Sequence, residues 1–307
     1  MEISRKDIIT QFPWIKEKNL HFIISSDYDG LICASFLHHH LNWKLAGYYN
    51  LETLWLSDSA IQNKSELIWV DLNILPTQGR TIGGHIVSID DEIPKGFQTS
   101  CNPNILLKLT DKKFYQKFPF STLLLLMWIH KIYPPNELVA KLLSLHADAA
   151  WLKCQHYSDN VEFWKSILLD YNWNKILKGV NTKTFEKRID QILYPTLSEL
   201  GAVTRNSKLT SHYLKIKSKQ YQSNPDWDED IILNLFTMFG NYLRWTPPQI
   251  PKISHIVNGK RIKLPITQVK KIGLNKFVSL NKVFSYAIPS PRIFNYTSFK
   301  TITSKKF

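Results

Sequence analysis

The feature that most constrains this chain is a set of short, continuously apolar runs that end in carboxylates. His21-Phe22-Ile23-Ile24-Ser25 leads to Asp27 and Asp29, Leu67-Ile68-Trp69-Val70 leads to Asp71, and His85-Ile86-Val87-Ser88-Ile89 leads to Asp90, Asp91 and Glu92. Leu45 to Tyr49 is a further β-prone run. Runs of this length without alternation suit strands buried on both faces, as in a parallel sheet. Between the first two runs lies Leu31 to Trp43, apolar at Leu31, Ile32, Ala34, Phe36, Leu37 and Leu41, which is helical spacing. Strand, turn and helix in that order begin an α/β fold. Open sheets of this class bind ligands beyond the carboxyl ends of their strands, so Asp27/Asp29, Asp71 and Asp90/Asp91/Glu92 are expected to converge on one edge.

From Phe120 the pattern becomes helical. Phe120 to Tyr133 closes at Pro134-Pro135, and residues 136–154, 160–177, 182–200 and 229–245 read as further helices. After Thr246-Pro247-Pro248 the chain turns β-prone, and Asn258-Gly259 between Ile256-Val257 and Ile262 predicts a hairpin with a type I′ turn. The expected organisation is a parallel-sheet α/β domain over 1–155, a helical region over 156–248 and a small basic β-rich module over 249–307. His85, placed at the start of a strand, is expected to be structural and to lie opposite the carboxylates.

Charge divides along the chain. The 307 residues carry a formal net charge of +14, yet residues 1–150 hold 14 Lys/Arg against 15 Asp/Glu, and residues 231–307 hold 13 Lys/Arg and no carboxylate. An AT-rich coding bias explains Lys over Arg but not missing acids. A segment of this kind suits a polyanion, and the expected partner is nucleic acid, single-stranded in the first instance. The candidate substrate-binding cations are Lys260, Arg261, Lys263, Lys270, Lys271 and Arg292, with Lys276, Lys282 and Lys300 beside them. They are interleaved with Phe277, Phe284, Tyr286, Phe294, Tyr296 and Phe299. Those rings either stack on bases or form the core of their own module.

Three separated cysteines exclude a zinc ribbon and fit a reduced, cytoplasmic setting. The most apolar stretch, Phe118 to Ile129, is about a dozen residues, too short for a bilayer span, so no membrane partner is expected.

Ser25-Ser26-Asp27-Tyr28-Asp29-Gly30, with two carboxylates in a strand-to-helix loop, could hold a hard divalent ion or could be a turn and helix cap. Together with Leu67-Ile68-Trp69-Val70-Asp71, Ile89-Asp90-Asp91-Glu92-Ile93-Pro94, Cys101-Asn102-Pro103-Asn104 and His146-Ala147-Asp148, it resembles the ordered motifs of the DHH phosphoesterase superfamily, RecJ-like members included. The resemblance covers about residues 20–155 and implies a divalent-metal-dependent phosphodiesterase or nuclease acting on single-stranded nucleic acid or oligonucleotides. It implies one or two Mn2+ or Mg2+ ions held by Asp27, Asp29, Asp71, Asp91 and Asp148, the same residues serving as the catalytic set.

Two departures bear on this expectation. Ser25 stands where the family has a His, and the family's Asp-His-His is read here as Asp90-Asp91-Glu92. The second His of that pair faces substrate phosphate in the family, and a glutamate there repels it. Two alternatives therefore stay open beside the enzyme: a catalytically inactive DHH-like nucleic-acid-binding or assembly subunit, and a dinucleotide phosphodiesterase.

Overall fold

The computed structural model describes residues 2–75, 80–204 and 209–299. The chain is mixed α/β, with a six-stranded, mostly parallel sheet, many helices and a small antiparallel sheet near the C-terminus. It groups into two compact units. One comprises the residues up to Lys18, Ser26–Asn42 and Pro119–Ile250; the other comprises Asn19–Ser25, Trp43–Phe118 and the chain from Pro251 onward. No helix among the described residues is long and apolar enough to cross a membrane.

The second unit contains every strand among the described residues. In chain order these are β1 (His21–Ser25), β2 (Lys44–Tyr49), β3 (Thr53–Ser57), β4 (Ile68–Val70), β5 (Thr81–Ile82), β6 (Ile253–Asn258), β7 (Lys260–Pro265), β8 (Ser285–Ser290) and β9 (Ile293–Ser298). The larger sheet has the order β5-β4-β1-β2-β3-β6, and the smaller one β7-β9-β8. β1 runs parallel to both β2 and β4, and β4 parallel to β5, while β3 and β6 are antiparallel additions. Phe22, Ile23 and Ile24 of β1 are fully buried, which is why that strand reads as a continuous apolar run. At Gly47 any side chain is excluded, because a Cβ there would sit 2.2 Å from the Trp55 carbonyl oxygen across the β2–β3 pair.

Three sequence expectations are corrected here. Residues 85–90 are not a strand: the strand beside β4 is β5, and the later run makes β pairings among the described residues only as isolated bridges, Ser88 to Thr110 and Ile89 to Glu92. Ile86, Val87 and Ile89 are nonetheless buried, and an apolar run shows burial without showing a ladder. Asn258-Gly259 is not a hairpin turn either. Gly259 is absent from the positive-φ residues that a type I′ turn requires, its N–H donates to the Glu52 carbonyl, and β6 and β7 continue into different sheets. Finally, the C-terminal segment holds two helices, Ile266–Ile272 and Leu274–Leu280, where β-structure was expected.

Phe284 and Phe299 share one apolar cluster with Ile23, Tyr49, Leu56 and Trp69, so the C-terminal segment completes the core of the larger sheet. The first unit is helical. Tyr28–Leu41 packs with Thr122–His130 and with Glu229–Leu243, and the Leu138–His146 helix adds its apolar face to the same core.

Candidate ligand site at the carboxyl ends of the parallel strands

Parallel register brings three strand ends level in the second unit. Ile24 is opposite Val70 and Val70 opposite Ile82, so Ser25, Asp71 and Gly83 follow side by side. Asp71 is buried and has φ +61°, a left-handed turn that Asp tolerates better than most residues. The Ser25 hydroxyl donates to Asp71 Oδ2 at 2.8 Å. His85 Nε2 lies 3.8 Å from Asp71 Oδ1, beyond hydrogen-bonding distance, with its side chain 43% exposed against 7% for the aspartate.

The loop that carries His85 is held by buried amides. Asn102 Nδ2 donates to the His85 carbonyl at 2.7 Å, and Asn104 Nδ2 donates to that of Gly84 at 2.8 Å. Asn104 Oδ1 in turn accepts the Phe118 N–H at 2.7 Å. The Asn-Pro segment singled out in the sequence therefore braces the Gly83-Gly84-His85 loop. Sequence reading placed His85 at the wrong end of its strand. The strand ends at Ile82, and two glycines carry the chain to the imidazole beside Asp71; the signal for this is the short β-prone Thr81-Ile82 directly before the Gly-Gly pair.

Asp90, Asp91 and Glu92 are not at this strand end. They lie in a tight turn closed by Ile89 and Glu92, each donating its N–H to the other's carbonyl. Lys270 Nζ sits 3.2 Å from Asp90 Oδ1 and 2.6 Å from Asp111 Oδ2, and Lys112 Nζ also lies 3.2 Å from Asp90. Desolvation opposes ionisation of Asp90, but hydrogen bonds from Lys270 and Lys112 outweigh it and hold its pKa below the ordinary carboxylate value. Glu92 Oε2 accepts the Asn275 N–H at 2.9 Å, at the start of the Leu274–Leu280 helix. Asp91 is exposed.

The other expected ligands lie in the first unit. Asp27 caps the Tyr28–Leu41 helix by accepting the Gly30 N–H at 3.0 Å. Asp29 is buried, and its two oxygens accept the N–H groups of Thr122 (2.8 Å) and Leu123 (3.2 Å), the first residues of the Thr122–His130 helix. A carboxylate at that position satisfies orphan donors and complements the helix dipole. Asp148 was expected on a helix. It occupies a break instead, with φ +46° followed by Ala149 at +51°, and pairs with Lys153. Among the described residues no group of three or more His, Cys, Asp or Glu is placed to hold a metal ion.

Replacing Asp29 by alanine is expected to lower unfolding free energy by about 2–4 kcal/mol, because two helix-terminal N–H groups lose a buried charged acceptor. Urea titration with and without Mn2+ checks this. A loss seen only in the presence of the ion would make Asp29 a ligand and not a cap.

Of the cations expected to bind substrate, Lys260, Arg261, Lys263, Lys271 and Arg292 are exposed and none forms an ion pair among the described residues. Lys270 is the exception, half-buried between Asp90 and Asp111. Lys300 lies outside the described residues.

Comparison of the chain with protein-family models, with curated proteins and with solved structures gives no match.

Proposed function

We propose that this chain has a DHH-like architecture without its hydrolytic centre and acts as a nucleic-acid-binding protein. The observation that supports this reading is the end of β5. Gly83-Gly84-His85-Ile86 follows that strand beside Asp71, in the place where the family has Asp-His-His and an apolar residue. One imidazole remains where three functional side chains belong. Ser25, standing for a further His, satisfies Asp71 with a hydroxyl.

The donor set does not fit the one or two Mn2+ or Mg2+ ions that the resemblance implies. Asp91 stands in a turn outside the strand order, Asp29 is engaged by a helix N-terminus and Asp148 by Lys153. The exposed cations of the C-terminal segment, in a stretch without carboxylates, support binding of a polyanion.

Incubation of the protein with end-labelled single-stranded DNA, RNA and dinucleotides in Mn2+ or Mg2+ tests the reading. Retention without shortening is expected. Shortening that requires the ion and disappears in Asp71→Asn would replace this proposal with a metal-dependent phosphodiesterase.

A further inference from the structure

We propose that the basic C-terminal surface grips the phosphodiester backbone alone and makes no base contacts, so that it does not distinguish one base from another; this rests on the nucleic-acid reading above. Single-strand binders combine a cationic track with aromatic faces on which bases stack. The sequence contains both ingredients, and the fold separates them.

The aromatic faces are taken. Phe277, Phe284, Tyr286, Phe294, Tyr296 and Phe299 are all at most 8% exposed. They pack against one another: Tyr286 stacks on Phe294 at 4.9 Å, and the edge of Phe277 meets Tyr296 at 5.4 Å. Phe284 is enclosed by Phe299 at 4.9 Å, Tyr49 at 5.6 Å and Trp69 at 5.8 Å. Releasing Phe284 or Phe299 to a base would open the core that joins the C-terminal segment to the larger sheet, and releasing any of the others would break the packing within that segment.

The cations remain at the surface. Arg261 and Lys263 are two residues apart on β7, an edge strand of the smaller sheet, so they share one face at a spacing of roughly 7 Å. Arg292 is tied to the far end of the same strand, its carbonyl accepting the Ile266 N–H at 3.0 Å. Lys271, Lys276 and Lys282 are exposed on and after the two helices that follow β7. With no carboxylate after Asp230, these charges have no counter-charge within their own segment. Tyr115, 68% exposed, is the one exposed Phe, Tyr or Trp ring among the described residues of this unit, and it lies on another segment.

The experiment compares anisotropy binding of oligo-dT, an abasic strand of equal length and a duplex, with inorganic polyphosphate as competitor, at about 50 and 200 mM salt. The abasic strand is expected to bind within about twofold of oligo-dT, because each stacked base would contribute roughly fivefold or more. Polyphosphate should displace both strands. The Arg261→Ser/Lys263→Ser variant should weaken all of them alike and reduce the salt slope by about two, and Tyr115→Ala should leave affinity unchanged. A tenfold preference for the base-bearing strand, or a comparable loss in Tyr115→Ala, overturns base-blind recognition while leaving nucleic-acid binding intact. Absence of binding to every polyanion overturns both.

Discussion

Lowering the pH from 7 to 4.5 is expected to remove several kcal/mol of stability, through histidines that the fold holds neutral. Three histidines of the helical unit carry this effect. His146 is fully buried between Tyr28 (4.7 Å) and Tyr194 (5.7 Å), and burial pushes its pKa down to about 3. His130 is driven to about 3 by burial and then by the charges of Lys16 and His40. His40 is driven to about 4 by burial and then by His39. In the unfolded chain each would titrate near 6.5. The folded state thus favours the neutral rings, and the unfolded state binds more protons throughout the window between.

Stability is therefore fully present above about pH 6.5 and falls as the pH drops toward 4 and then 3. For His146 alone, two pH units below its unfolded pKa correspond to about 2–3 kcal/mol. Asp90 acts in a separate, lower window, since its pKa is depressed and its contribution is lost only as the carboxylate protonates. Urea midpoints at pH 7, 5.5 and 4.5 measure the effect, and His146→Gln should flatten the profile. A midpoint that does not move between pH 7 and 4.5 would contradict it.

The second large effect is expected at Glu186. This carboxylate is completely buried, and its oxygens accept four hydrogen bonds from the N–H groups of three successive residues: His212 at 3.0 Å, Tyr213 at 3.2 and 3.1 Å, and Leu214 at 2.8 Å. Three consecutive donors facing one anion form a backbone nest. The wrapped segment is closed by Thr210 bridging to Lys217 and by Ser211 donating its N–H to the Ile216 carbonyl.

Glu186→Ala leaves three part-buried backbone donors without their acceptor, and the expected loss is about 2–4 kcal/mol. Glu186→Gln keeps the volume but offers one acceptor oxygen, so a smaller loss of about 2 kcal/mol is expected. Urea unfolding ranks the three proteins. Hydrogen exchange at His212, Tyr213 and Leu214 should quicken in both variants. Unchanged exchange in Glu186→Ala would show that the segment holds its shape by other means.

Much of the fold could be read before any coordinates. β1, β2 and β4 are apolar through their centres because each has neighbours on both sides, and the helices from Thr122 to Leu243 keep their spacing. β5 could not be read: it is two residues long, and its ladder depends on Trp69 N–H reaching the Arg80 carbonyl and Asp71 N–H reaching that of Ile82. The apolar run that follows it looks more like a strand than the strand does. That run drew the sequence expectation to Asp90-Asp91-Glu92 and concealed the imidazole beside Asp71.

Composition and periodicity, which are local, determined the α/β class, the apolar strands, the helical middle and a C-terminal stretch without acids. Tertiary structure alone decided which side chains meet. Asp71 faces Ser25 and His85, Glu92 meets Asn275, Lys270 lies between Asp90 and Asp111, and the aromatics turn inward from the lysines between them. These pairings depend on register between segments far apart in the chain, and a slip of one residue turns every side chain of a strand to its other face.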